Sequence, residues 1–163
     1  MPELLSPAGN PEKLRAAITP NTKALVLPFP ANPTGAILTG EELEALAEIL
    51  RETNIMVISD EIYGELTYGR KHVSIASLPG MRQRTILASG FAKAYAMTGY
   101  RIGWLATHDK GLLTAVKRLQ GQTISCATTI AQKAAEAAYA GPQDCVETMR
   151  QAFHRRRDLI VAL

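Results

Sequence analysis

The sequence predicts an α/β fold in three layers, with a mostly parallel sheet flanked by helices. Two short runs, residues 23–29 (KALVLPF) and 55–59 (IMVIS), are almost wholly apolar, as the strands of a parallel sheet are. An amphipathic helix over residues 39–53 separates the two runs. A strand, a helix and a second strand at this spacing indicate a βαβ unit, and this unit is the basis for the predicted fold class.

The first elements have clear start and stop signals. Asn10 followed by Pro11 predicts the start of a helix that runs to about Thr19, because the pair supplies a cap and a first-turn proline. The run at residues 23–29 is expected to form a strand that is covered on both faces and that ends at its prolines. Residues 32–35 (NPTG) then predict a turn.

The helix between the two strands is marked at its start and along one face. Thr39 with Glu42 three residues later predicts a capping box. Apolar residues follow at helical spacing, at positions 43, 46, 47, 49 and 50, and the helix is expected to end near Thr53.

The second half of the chain is predicted to be mainly helical. Further strands are expected at residues 85–88 and 102–106, and helices at residues 110–119, 130–140 and 144–163. The last helix runs to the end of the chain without a stop signal, and three or four strands form a small sheet for this much helix. We therefore expect this chain to be part of a larger one.

Composition excludes several classes of protein. The chain has 163 residues, of which 47% are hydrophobic and 20% charged, and this balance is typical of a globular domain and not of a disordered chain. No apolar run reaches the roughly 18–20 residues of a membrane helix, and no secretory signal is recognisable at the start. The two cysteines, Cys126 and Cys145, are too few for a disulfide framework and lack metal-site spacing, so we expect a cytoplasmic protein without a metal.

The charge does not indicate a nucleic-acid-binding protein. The net charge is only +3, and the one dense basic cluster is at residues 155–157. A solvated helix face is the main interpretation of this cluster, and a contact with a phosphate or a partner is the alternative. No nucleic-acid or membrane partner is expected.

Polar residues follow three of the predicted strands. Asn32 comes after the first strand, Asp60 and Tyr63 after the second, and residues 89–93 (SGFAK) after the third. Ligands of open α/β sheets bind outside the carboxyl ends of the strands, where such side chains converge. The sequence therefore predicts a ligand site at this edge of the sheet.

A longer motif connects these residues to a known family. Residues 89–103 (SGFAKAYAMTGYRIG) resemble the lysine signature of the class I and II aminotransferases, which are pyridoxal 5'-phosphate enzymes of fold type I. Residues 32–35 (NPTG) and 60–63 (DEIY) are similar to two further landmarks of that family and come in the family's order. The resemblance runs from about Ala17 to the end of the chain. It implies that residues 1–163 are part of the cofactor-binding large domain, with the start of that domain and the small domain lying outside this chain.

The resemblance implies a role for each residue of the predicted site. Lys93 would form the covalent imine with pyridoxal phosphate and then move a proton between the substrate and the cofactor. Asp60 would pair with the pyridine nitrogen, and Tyr63 and Asn32 would bind the phenolic oxygen of the ring. Arg101 would bind the phosphate. Lys93, Asp60 and Tyr63 are therefore the predicted catalytic residues, and all five are predicted to bind the cofactor.

Ser89 is the sixth predicted cofactor-binding residue, and two interpretations of it stay open. Many members of the family carry a hydroxyl three positions before the lysine, where this chain has Gly90. Ser89 is adjacent and would supply that hydroxyl to the phosphate, or it would form a local hydrogen bond instead. Glu61, which lies between Asp60 and Tyr63 in sequence, is assigned no role.

The implied function is transfer of an amino group between an amino acid and a 2-oxo acid, by an enzyme that is a homodimer. The 163-residue chain alone is expected to bind the cofactor weakly and to be inactive. Three alternatives remain: a carbon–sulfur lyase or related enzyme on the same fold, an aminotransferase-like sensor domain of a transcription regulator, and a truncated structural remnant. The sequence does not identify the substrate amino acid.

Overall fold

A four-stranded sheet is the centre of the molecule. The computed structural model describes residues 9–163. The strands lie in the order β1-β2-β3-β4, with β1 parallel to β2, β2 parallel to β3, and β4 antiparallel to β3. Their bounds are β1 Ala24–Pro28, β2 Met56–Asp60, β3 Thr85–Gly90 and β4 Gly103–Thr107. The prediction of an α/β protein with a mostly parallel sheet is confirmed.

The predicted helices are also confirmed, with small differences at their ends. Their bounds are α1 Pro11–Ala17, α2 Gly40–Arg51, α3 Lys110–Thr123, α4 Thr129–Ala140 and α5 Asp144–Val161. Helix α1 is shorter than predicted, because the backbone of Ile18 is extended and ends the helix before Thr19. Short 3-10 turns at residues 75–77 and 82–84 lie between β2 and β3.

The helix starts form as the sequence predicts. The Glu42 backbone N–H donates to Thr39 Oγ1 at 3.1 Å, and the Thr39 backbone N–H donates to Glu42 Oε2 at 2.7 Å. This reciprocal capping box satisfies two N–H groups that the helix itself leaves without partners. Asn10 caps α1 by a single hydrogen bond, which its side chain accepts from the Lys13 N–H at 3.0 Å.

The core lies between one face of the sheet and α2. Leu46 and Leu50 of α2 and Val57 of β2 are fully buried together with Ile75 and Met81 from the turns before β3. The remaining buried members of this cluster are Leu27, Phe29, Leu38, Leu43, Ala47 and Ile55. Burial of these apolar side chains is the main stabilising contribution to this part of the fold.

The prediction that residues 23–29 are covered on both faces is wrong. Successive side chains of a strand point to opposite faces of the sheet. In β1, Leu27 is buried against the core, whereas Val26 on the other face is 57% exposed. Helix α2 packs on the first face, and within residues 9–163 no helix buries the second face at β1.

Two glycines allow β3 and β4 to approach closely. Gly90 and Gly103 are opposite each other in the antiparallel pair. A Cβ at Gly90 would lie 3.0 Å from the Gly103 Cα and 3.1 Å from the Ile102 carbonyl oxygen. A larger residue at position 90 would therefore push the strands apart, and this explains why β3 ends in a glycine three residues before Lys93.

Within residues 9–163, no helix is both long enough and apolar enough to cross a membrane.

Candidate active site

Three of the six predicted site residues surround one cavity. Lys93, Asn32 and Tyr63 line a cavity of about 660 Å³, together with residues of α5. The strand–loop junctions explain this placement, since Asn32 follows β1, Tyr63 follows β2 and Lys93 follows β3. Carboxyl ends of neighbouring strands bring distant parts of the sequence to one edge of the sheet.

Tyr63 contacts each of the other two side chains. The Asn32 amide Nδ2 donates to the Tyr63 hydroxyl at 3.3 Å. Lys93 Nζ lies 5.5 Å from the centre of the Tyr63 ring, within the range of a cation–π contact. An amine, a phenol and an amide are thus combined on one wall of the cavity.

Asp60 is the last residue of β2 and is exposed. In the sheet it is opposite Pro28 of β1 and Ala88 of β3. Its carboxylate accepts a hydrogen bond from the Ile62 N–H at 3.1 Å, which holds the backbone in a turn directly after the strand. Because Ser59 is buried, Asp60 points to the opposite face of the sheet.

The lysine segment between β3 and β4 is tightly folded. Backbone hydrogen bonds join the Ala96 N–H to the Lys93 carbonyl and the Met97 N–H to the Phe91 carbonyl, both at 3.1 Å. Ala96 and Arg101 adopt left-handed conformations, with φ of 53° and 50°. Such conformations are unfavourable for residues with a side chain and often occur at functional sites.

Arg101 lies next to the cavity but does not line it. Its Nη1 donates to the Thr98 carbonyl at 3.3 Å, and Thr98 is a lining residue. The guanidinium is exposed, so its other N–H groups face solvent at the rim of the site.

Ser89 is placed differently from the other five residues. Its hydroxyl donates to the Glu61 carbonyl at 3.4 Å, which is long for a hydroxyl hydrogen bond. Ser89 lines a second cavity of about 860 Å³, between the loop after β2 and helices α4 and α5. The structure therefore brings Asn32, Tyr63 and Lys93 together, and it places Ser89 on a neighbouring surface.

Glu61, to which the sequence assigns no role, has several partners. Its Oε1 accepts hydrogen bonds from the Ser59 hydroxyl at 2.9 Å and the Ser74 hydroxyl at 2.6 Å. Its Oε2 lies 2.7 Å from His72 Nε2, in an ion-pair contact that is poorly aligned as a hydrogen bond. Burial alone would raise the pKa of Glu61, but His72 and the two serine hydroxyls together lower it below the ordinary value.

Helix α5 forms part of the cavity wall, which sequence reasoning also missed. Phe153 and Arg157 of α5 line the cavity that contains Lys93. The Arg157 guanidinium lies 5.3 Å from the centre of the Tyr68 ring, and His154 stacks on the same ring at 5.1 Å. Part of the basic cluster at residues 155–157 thus packs within the chain. The available signal was the spacing of Phe153 and Arg157, which are four residues apart and so lie on one helix face.

Residues 9–163 contain no group of three or more His, Cys, Asp or Glu side chains that could hold a metal ion. Both cysteines, Cys126 and Cys145, are free and exposed.

Together these features define the class of protein. It is an α/β protein whose candidate site combines a lysine amine with a phenol and an amide, at the carboxyl ends of parallel strands.

Comparison with known proteins identifies the family. The family model "Aminotransferase class I and II" matches residues 8–163, so the chain belongs to this family. It is 49% identical over 152 residues to the aspartate aminotransferase of Geobacillus stearothermophilus, and this match covers 92% of the chain and 38% of that protein. The resemblance stated from residues 32–35, 60–63 and 89–103 is confirmed.

Solved structures agree with the family. The structure of a double mutant of Thermus thermophilus aspartate aminotransferase matches 99% of this chain and 42% of its own length, with a TM-score of 0.89 and 40% identity. The aromatic aminotransferase of Pyrococcus horikoshii OT3 matches 93% of this chain and 41% of its own length, also with a TM-score of 0.89 and 40% identity. The chain thus spans about 40% of the length of the relatives that it matches.

Proposed function

We propose that this chain is the cofactor-binding part of an aminotransferase that moves an amino group between an amino acid and a 2-oxo acid. The observation that carries the proposal is the arrangement of Lys93, Tyr63 and Asn32 around one cavity. The relatives named above are aminotransferases, and their names favour this reaction over a carbon–sulfur lyase.

The side chains present fit pyridoxal 5'-phosphate. This cofactor supplies an aldehyde that reacts with amines and a ring that withdraws electrons from the bond that breaks. Lys93 offers the amine, while Tyr63 and Asn32 offer hydrogen-bond donors for the phenolic oxygen. Asp60, at the end of β2, would hold the proton on the pyridine nitrogen. The cavity of about 660 Å³ lies within the usual size range of a cofactor site.

Arg101 and Ser89 are the proposed contacts for the phosphate. A guanidinium matches the geometry of a phosphate, and the exposed Arg101 lies beside the lining residue Thr98. Ser89 would contribute its hydroxyl after leaving the Glu61 carbonyl, and the 3.4 Å length of that hydrogen bond makes the change inexpensive.

Lys93 has two proposed tasks. Its amine would hold the cofactor, and once it is free again, the same amine would take the proton from the substrate α-carbon and return it to the cofactor. Tyr63 keeps the amine within reach, because Lys93 Nζ lies over the Tyr63 ring.

The whole protein is proposed to be a cytoplasmic homodimer with amino acids and 2-oxo acids as substrates. These are proposals for the whole protein, because this chain spans only about 40% of the length of the relatives it matches. We expect the 163-residue chain alone to bind the cofactor weakly and to show no turnover. Each charge-assisted hydrogen bond to the phosphate that the whole protein makes and this chain does not would cost about 1.5–3 kcal/mol of binding free energy.

Selective labelling tests this proposal. The chain is incubated with excess pyridoxal phosphate, reduced with borohydride and mapped by mass spectrometry. We expect the adduct on Lys93 to predominate, and the Lys93→Ala variant to lose it. Lys133→Ala is the matched control, because Lys133 is exposed on α4 and pairs with Glu136 at 2.8 Å. Equal labelling of all lysines in the wild-type chain would contradict the proposal.

A further inference from the structure

The two adjacent acidic residues at the end of β2 have opposite surroundings. Asp60 is exposed and accepts one hydrogen bond, from the Ile62 N–H. The Glu61 side chain is only 10% exposed, accepts hydrogen bonds from the Ser59 and Ser74 hydroxyls, and contacts His72. A carboxylate is retained in such a place when hydrogen bonds and an opposite charge compensate for burial.

The partners of Glu61 come from both ends of one loop. Ser59 precedes it in β2, whereas His72 and Ser74 lie at the far end of the loop, just before the 3-10 turn at residues 75–77. The Glu61 carboxylate therefore closes the base of a loop that includes Tyr63. The backbone of Glu61 is also held, because its N–H donates to the Ala88 carbonyl of β3 at 2.9 Å and its carbonyl accepts from the Gly64 N–H at 2.9 Å.

The site residues in this segment have little support of their own. The Tyr63 hydroxyl is held by the 3.3 Å hydrogen bond from Asn32, which is long, and Asn32 is itself exposed. Asp60 contacts the backbone of its own turn. Rigid support for such side chains has to come from the backbone that carries them, and Glu61 is the point at which that backbone is fixed.

We propose that Glu61 is a positioning residue of the candidate site. By joining Ser59 to His72 and Ser74, its carboxylate fixes the backbone that follows β2, so that Tyr63 stays beside Lys93. The inference rests on the proposed function for what these residues bind, but the placement itself is a property of this chain.

Nuclear magnetic resonance of the 163-residue chain tests the placement without a cofactor. Lys93 Nζ lies 5.5 Å from the centre of the Tyr63 ring, so the ring shifts the Lys93 side-chain protons and gives cross-relaxation with them. We expect Glu61→Ala to remove this shift and weaken the cross-relaxation. Glu61→Gln restores both in part, since the amide oxygen still accepts from the serine hydroxyls.

Two further variants keep the test decisive. Ser59→Ala removes a single donor to Glu61, and we expect a smaller change of the Lys93 signals in the same direction. This variant provides the test if Glu61→Ala does not fold. Glu65→Ala is the matched control, because it removes an exposed carboxylate from the same loop and should leave the Lys93 signals unchanged. Labelling of Lys93 by pyridoxal phosphate should slow on the order of 10- to 100-fold in Glu61→Ala, as expected when a reacting group is misplaced by about 1 Å.

The outcomes separate the inference from the proposed function. If folded variants at Glu61 and Ser59 melt at lower temperature but keep the wild-type Lys93 shifts and labelling rate, Glu61 is only structural and the inference is wrong. If the wild-type chain is not labelled at Lys93, the proposed function fails, and the Lys93–Tyr63 signals still decide whether Glu61 positions the segment.

Discussion

The two halves of this chain differ in how their helices are held. Helix α2, between β1 and β2, has 12 residues and buries five of them. Helix α3 has 14 residues and buries none, and helix α5 has 18 residues and buries only Val146. The N-terminal βαβ unit is therefore stabilised by a packed core, whereas the C-terminal helices rest on few buried contacts.

The difference does not come from the local signals for helix formation. Asp109 caps α3 by accepting from the Leu112 N–H at 2.9 Å, much as Thr39 caps α2. Polar contacts attach the C-terminal helices, such as the 2.6 Å hydrogen bond from Trp104 Nε1 to the Tyr139 hydroxyl. Capping thus starts helices in both halves, but within residues 9–163 α2 buries far more of its apolar face than α3, α4 or α5 does.

The exposed apolar side chains concentrate in the C-terminal half. Six of them lie on or next to α3, α4 and α5, and each is more than 60% exposed: Leu119, Ile124, Ile130, Leu159, Ile160 and Val161. If the comparison is correct, substitutions in the first half should cost much more stability than equivalent substitutions in the second.

The largest expected effect is that of a core leucine. Leu46→Ala should lower the free energy of unfolding by about 2–5 kcal/mol, because Leu46 is fully buried and its loss leaves a cavity. Leu119→Ala, at a position that is 66% exposed, should change it by no more than about 0.5 kcal/mol. Urea unfolding measures both values, and similar losses for the two variants would refute the comparison.

A smaller effect is expected from the helix caps. Thr39→Ala removes the capping box of α2 and should cost about 1 kcal/mol. Thr128→Ala removes the cap of α4, where the hydroxyl accepts from the Ala131 N–H at 3.3 Å, and should cost less because this helix buries only two side chains. Thermal unfolding of the two variants ranks the caps, and the reverse ranking would show that α4 is the better anchored helix.

The smallest effect concerns pH and an ion pair on α5. Hydrogen bonds from Arg150 and Gln151 lower the pKa of Glu147 to about 2. A lowered pKa in the folded state means that the ionised carboxylate stabilises the fold above its unfolded pKa of about 4.3, and that this contribution is lost as the pH falls toward 2. Glu147→Gln should therefore melt below the wild-type chain at pH 6, and the gap should narrow at pH 3.

Glu136→Gln provides the control for this measurement. Glu136 is an exposed carboxylate that pairs with Lys133 at 2.8 Å, and exposed pairs of this kind contribute little. We expect its melting temperature to follow the wild-type value at both pH values. If the difference in melting temperature between Glu147→Gln and the wild-type chain widened on acidification, the lowered pKa of Glu147 would be contradicted.

Much of the fold and part of the site can be predicted from sequence. The caps at Asn10 and Thr39 depend on residues within one helical turn, and the strands depend on short apolar runs, so both are readable locally. The convergence of Asn32, Tyr63 and Lys93 was predictable as well, because carboxyl ends of parallel strands meet at one edge of a sheet. Glu61 was missed, since its partners Ser59, His72 and Ser74 have no recognisable spacing.

The sequence by itself determined which segments form helices and strands, with differences of a few residues at their ends, and which polar residues follow each strand. Only the tertiary structure decided that one face of β1 is exposed, that the Glu61 side chain is largely shielded from solvent while Asp60 is exposed, and that α5 lines the cavity beside Lys93. The physical reason is that hydrogen bonds of helices, turns and caps join residues close in sequence. Burial of a side chain depends instead on segments that are distant in sequence and pack against it only in the folded chain.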